Sequence, residues 1–300
     1  MMHKVVFTLL LFLLQICNVF GSCLIRGDFK NKETSLFVHI FQYKDGNEIG
    51  LTKLEVIGNV LEYQFPENFE EGIYRVNVIA KQFSFFDVVV MKDEKEISFE
   101  FDCYKPFDLP HINKSDINKG WYEFIKHSLD NRKAILEFSE YKSKAGKKNI
   151  SNADIEKNIN RLSNEYVALK SSFKEGHKNP WVNLMINGIN YSGNEVEIKW
   201  QNAINEEKLI EEAMNNNKKI LNTPLFKDYI QVNLVYAISV KKSNEENTKI
   251  ILQTYSDTID KFAFNDLVKK CIIRYAIIGF RENNDIESEK FISHKYNYFM

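Results

Sequence analysis

The chain is poor in cysteine, proline and glycine, with 4, 5 and 12 of them in 300 residues. No C-x-x-C pair occurs, which excludes a local dithiol redox centre and a cysteine-rich zinc site. Charge of one sign is lacking too. The 40 Lys and Arg balance 41 Asp and Glu to a net −1, with no acidic or basic block. A nucleic-acid surface needs clustered Lys and Arg to neutralise phosphates, so no nucleic-acid partner is expected. The histidines fall into no H-E-x-x-H or H-x-x-x-H spacing, no serine sits in G-x-S-x-G, and no glycine-rich phosphate loop is present. These absences leave no catalytic motif and call for neither a cofactor nor a metal. Beyond the first 21 residues no apolar run is long enough to span a bilayer.

What the chain does have begins at its first residue. Met1–Lys4 carries positive charge, and Val5–Ile16 is apolar except for Thr8 and Gln15. Val19 and Gly21 then stand at the two positions that a signal peptidase reads. That order is the one found in a secretory signal peptide, and the run is too short for a comfortable span. Residues 1–21 are therefore expected to be removed, with the mature protein starting near Ser22 in the periplasm or cell envelope. At 44% hydrophobic and 27% charged, the remainder can form a packed core.

From Leu24 to Asp102 the pattern alternates or is continuously apolar. Strands are predicted over Leu24–Phe29, Ser35–Tyr43, Gly72–Ala80, Phe83–Met91 and Glu96–Asp102, with a hairpin of Leu51–Ile57 and Val60–Phe65 around Gly58-Asn59. In Ser35–Tyr43, Leu36, Val38 and Ile40 share one face, and Asp45-Gly46 reads as a turn. About seven short strands without intervening helices point to an antiparallel sandwich. After Pro106 and Pro110 the period becomes helical. Helices are predicted over Trp121–Ala145, Ala153–Phe173, from Asn179-Pro180 onward, and near 203–214, 224–239, 245–262, 265–281 and 288–298. The fold class is therefore segregated α+β: a signal peptide over 1–21, a β-sandwich domain over 22–105, a linker over 106–120 and an α-helical domain over 121–300.

The candidate site residues are few. Cys17 belongs to the signal segment, leaving Cys23, Cys103 and Cys271. Phe20-Gly21-Ser22-Cys23 partly resembles a lipobox, in which the cysteine becomes the lipidated first residue; the alternative is a small apolar residue in the first strand. Cys23 opens the first strand and Cys103 ends the last, and such strands are often neighbours, so a Cys23–Cys103 disulfide is a second alternative. Cys271 lies on the apolar face of Leu267–Ile278 and reads as inert core. His39, His111, His127, His177 and His294 are scattered. The acid pairs Glu70-Glu71 and Asp93-Glu94 read as solvated turn charges. The Phe83–Phe86 cluster, with Tyr43 and Tyr104, is a candidate lining for a ligand cleft. Asn113-Lys-Ser115, Asn149-Ile-Ser151 and Asn190-Tyr-Ser192 would be glycosylation acceptors in a eukaryotic secreted protein.

FFDVVVMKDEKEISFEFD over Phe85–Asp102 resembles the last hairpin of the β-domain of unknown function that precedes the thioredoxin-like domain in many bacterial cell-envelope proteins. CLIRGDF from Cys23 and EEGIYRV from Glu70 resemble the same domain's first and "G-I-Y" strands. In that family a helical region follows, and Asn179-Pro180-Trp181 resembles its "N-P" helix start. A TlpA-type or AhpC-TSA-type thioredoxin domain with C-x-x-C normally comes next, and Met300 falls about where it would begin. The resemblance implies an envelope location and this architecture. It implies no catalytic residue, because the attacking and resolving cysteines have no counterpart here. Two functions are thus expected: a non-catalytic binding or spacer module partnered by an envelope protein or oxidoreductase, or a component of a thiol–disulfide oxidoreductase whose catalytic domain is absent or supplied in trans.

Overall fold

Strict alternation builds the β part. In β1 (Leu24–Lys30) Ile25 and Phe29 point inward while Arg26, Asp28 and Lys30 are exposed, the period-two pattern of a half-buried strand. The structure is a computed structural model that describes residues 22–30, 36–105, 108–144, 152–188, 218–228, 252–253, 256–257, 259–260 and 265–297. The signal segment lies outside these residues, as do most of the helices expected over 203–262. The described residues divide into two compact units, one drawn from Met1–Phe41 and Gly50–Tyr122, the other from Gln42–Ile49 and Glu123–Met300.

Among the described residues seven further strands follow β1: β2 (Phe37–Lys44), β3 (Asn47–Glu55), β4 (Val60–Gln64), β5 (Gly72–Ile79), β6 (Phe83–Val90), β7 (Glu96–Asp102) and β8 (His111–Lys114). They form two four-stranded sheets, ordered β4-β1-β7-β8 and β3-β2-β5-β6. With the helices below, the class is α+β. Three expectations change. β4 does not pair with β3 as a hairpin but with β1, antiparallel, because the chain leaves one sheet for the other at Gly58 and Asn59, both at positive φ. The stretch read as a linker carries β8, which pairs antiparallel with β7 across a bulge at Ser98/Phe99. The first helix starts at Asp116 rather than Trp121. β1 and β7 are indeed neighbours, and they run parallel, Leu24 opposite Glu96 and Lys30 opposite Asp102.

Aromatic rings join the two sheets. Phe86 of β6 meets Phe99 and Phe101 of β7 at 4.8 and 5.4 Å between centroids, and Phe65 meets Tyr74 at 4.9 Å. Each such pair adds about 0.5–1.5 kcal/mol beyond its area burial. The first turn of α1 (Asp116–Lys144) seals the edge of β6. Asn118 is fully buried; its Nδ2 donates to Val89 O and its Oδ1 accepts from Val89 N, both at 2.8 Å. Tyr122 Oη donates to Asp87 O at 2.7 Å. A side-chain amide thus satisfies backbone groups that an open edge strand would leave exposed.

In the second unit, α2 (Asn152–Gly176) and α3 (Pro180–Gly188) follow the rest of α1. The Asn179 cap forms as the sequence predicts, Oδ1 accepting from Trp181 N and Val182 N at 2.9 and 3.1 Å. Asn265 caps α4 (Asp266–Glu282) and Asp285 caps α5 (Ile286–Lys295) in the same way. The Asp45-Gly46 turn belongs to this unit: Gly46 N donates to Leu221 O at 3.0 Å and Asp45 N to Asn222 Oδ1 at 2.7 Å. Among the described residues no helix is long and apolar enough to cross a membrane.

Candidate functional site

The three cysteines among the described residues are buried and form no disulfide. Cys23 has no exposed surface, and its carbonyl accepts from Phe65 N at 2.9 Å. A lipid joined to Sγ would need this buried position to open, so the burial of Cys23 lends the lipobox reading no support. The parallel register removes the disulfide. Cys23 precedes the start of β1 while Cys103 follows the end of β7, so the two stand more than a strand length apart, roughly 25 Å at about 3.3 Å per residue, far beyond bridging reach. Burial, with the charges of Glu94 and Glu96, pushes the Cys23 thiol up to about 12. Burial does the same to Cys271, to about 11, against a small opposing pull from Arg274. Cys271 packs on the Asp45-Gly46 turn, Sγ lying 3.4 Å from Asp45 O. Nucleophilic cysteines need the opposite environment, electropositive and partly open.

The histidines stay apart. His39 Nε2 is buried without a partner, and burial, then Lys53, lowers its basicity. His177 stacks on Phe173 at 4.0 Å. His111, His127 and His294 are exposed. No three His, Cys, Asp or Glu among the described residues are grouped to hold a metal. The aromatic cleft does not assemble either. Phe86 is core, Tyr43 is 1% exposed, and Phe83 and Tyr104 stand in solvent at 58% and 55%. Hydrophobic alternation could not separate these fates, because ring burial depends on which sheet face each strand presents.

Two features escaped the sequence reading. The first is a shallow depression of about 210 Å³ at one end of the β4-β1-β7 sheet, lined by Asp28, Phe29, Lys30, Gly58, Asn59, Val60 and Glu100. Lys30 and Glu100 form a loose ion pair there at 3.9 Å, and Ile57 and Val60 beside it are exposed. Small-molecule sites run to roughly 300–1,000 Å³, so this one is sized for a single protein side chain.

The second is Glu94, read above as a solvated turn charge. The Met91–Glu94 turn is closed by Glu94 N donating to Met91 O at 3.2 Å. It turns the carboxyl inward, where Oε2 is buried with no hydrogen-bond partner. Burial raises Glu94 to about 7, opposed by a hydrogen bond from Ser115 and reinforced by Asp93 and Asp116. The folded state therefore holds this proton more tightly than the unfolded chain does. Its stabilising contribution is complete below the ordinary carboxyl range near 4.5 and is lost as pH rises through about 7. In a protein whose Ser22 nitrogen is an amide, Glu94→Gln is expected to be the more stable form at pH 8. The gain is about 1 kcal/mol after allowing for solvent screening on the open side, and it disappears below pH 4.5. Urea unfolding of both proteins across this range checks it; equal profiles would contradict it.

Comparison with protein-family models, curated proteins and solved structures finds no match to this chain.

Proposed function

We propose that the chain is an exported, non-catalytic binding or spacer module of the cell envelope, related to the N-terminal region of envelope thiol–disulfide oxidoreductases. In this reading the two sheets act together as a sandwich-type recognition element, and the helical unit is a platform for a protein partner. The observation that carries it is the state of the thiols: buried, in no disulfide and, for Cys23 and Cys271, held far above the range in which a thiolate forms at neutral pH. The export half rests on the charged start, apolar run and Val19/Gly21 positions. The depression around Lys30 supports recognition of a protein side chain over a free metabolite, through its size and its paired charges.

Insulin reduction by dithiothreitol is the direct test of the non-catalytic part. The wild-type protein is expected to leave the precipitation rate within twofold of that set by a variant with Cys23, Cys103 and Cys271 all replaced by alanine. A rate tenfold higher for the wild type would make the chain an oxidoreductase component and overturn this reading.

A further inference from the structure

The acidic corner at the head of β1 has a buried Glu94 oxygen without a donor, and the cation beside it, Lys114, is engaged by Glu96 at 2.6 Å. The groups acting on the Glu94 carboxyl are Ser115 and Asp116 at the start of α1 and Asp93 in its own turn, and Cys23 of the adjoining segment feels both Glu94 and Glu96. None of these carries positive charge. The parallel register supplies the missing partner. Leu24 lies opposite Glu96, and Leu24 N donates to Lys95 O at 2.9 Å. The ladder itself ends at Leu24 and Glu96; continued two residues beyond it, the same alignment brings half-buried Ser22 to the level of the Glu94 turn.

We propose that Ser22 and Glu94 form a maturation-dependent ion pair: cleavage after Gly21 turns the Ser22 amide nitrogen into an α-ammonium that donates to the orphaned Glu94 Oε2. The proposal rests on the export reading for the cleavage itself. Hydrolysis of the Gly21–Ser22 peptide bond consumes one water and leaves a carboxylate on Gly21 and an amine, protonated near neutral pH, on Ser22. Before cleavage the corner holds a carboxyl with an unmet acceptor and two acidic neighbours, which is unfavourable. After cleavage the same carboxyl gains a charge-assisted hydrogen bond. The segment is thereby less stable in the precursor than in the mature chain, a useful difference for a protein that must cross a membrane unfolded.

The test compares the protein beginning at Ser22 with the same protein Nα-acetylated, each with and without Glu94→Gln, at pH 7. For the Glu94 protein, the free amine is expected to raise the folding constant about tenfold over the acetylated form, and Glu94→Gln is expected to abolish that difference. Glu94→Gln thus changes sign: stabilising when Ser22 is acetylated, destabilising when it is free. By carbon-detected NMR titration the Glu94 midpoint is expected to fall by about one pH unit or more when the amine is free. An effect of acetylation that is equal in both backgrounds, or a Glu94 midpoint that does not move, would overturn the pair. Mass spectrometry of the exported protein separates the two failures. An N-terminus other than Ser22 overturns the cleavage assignment, whereas Ser22 with no coupling overturns the ion pair and leaves export standing.

Discussion

Asp87→Ala is expected to be the most damaging single change in the first unit, costing about 3–5 kcal/mol. Asp87 and Arg75 are both about 95% buried, at 6% and 5% exposed. They meet face to face across β5 and β6, where Arg75 stands directly opposite Asp87 in the ladder. Nε donates to Oδ1 at 2.8 Å and Nη2 to Oδ2 at 2.9 Å. The Phe85 ring lies 4.2 Å from the guanidinium carbon. An intact buried pair roughly balances its own desolvation, so its net worth is small. Removing one partner is different, because the guanidinium cannot shed its proton and stays behind as an uncompensated charge. The double variant Arg75→Met, Asp87→Leu is therefore expected to recover most of the loss. Urea unfolding of the two single variants and the double variant measures the coupling. Additive losses, or a loss below 1 kcal/mol for Asp87→Ala, would contradict this account.

Gly46→Ala is the corresponding weak point of the second unit, at about 3 kcal/mol. Two costs combine there. Gly46 has φ +69, a left-handed conformation that costs an L-residue about 1–2 kcal/mol. An added Cβ would also run into Cys271 Sγ and lie 2.7 Å from Cys271 Cβ, and overpacking adds about 1–3 kcal/mol. Gly58 is the internal control: its φ is +64 and nothing lies within 4 Å of an added Cβ. Gly58→Ala should then show only the backbone cost, near 1 kcal/mol. Removing the sulfur in a Cys271→Ala background should bring Gly46→Ala close to the Gly58 value. If Gly46→Ala and Gly58→Ala cost the same, the Asp45-Gly46 turn does not pack on α4 as described.

Much of the β part was legible because local alternation encodes it. Leu36, Val38 and Ile40 were placed on one face of the second strand; all three are buried, Leu36 just ahead of β2. The Asn179-Pro180 helix start was equally local. Pairing partners were not legible. β8 reads as His-Ile-Asn-Lys, three polar residues and one apolar one after a proline, and only its ladder with β7 makes it a strand. The parallel alignment of β1 with β7 joins segments some 70 residues apart, and it decided the fate of the Cys23–Cys103 alternative. Glu94 was misread for the same reason. A turn carboxylate is ordinarily solvated, whereas this one is buried and acted on by Ser115 and Asp116, which no local pattern connects to it. The Arg75–Asp87 pair, too, is visible only once β5 and β6 are in register.

The most direct test of the central claim is thiol alkylation in intact cells followed by mass spectrometry of the whole protein. The account predicts a chain beginning at Ser22 whose Cys23, Cys103 and Cys271 resist alkylation while folded, react after denaturation, and carry neither lipid nor disulfide. A mixed disulfide with another protein, or a cysteine alkylated rapidly in the folded chain, would contradict it and make the thiols the working part of the molecule.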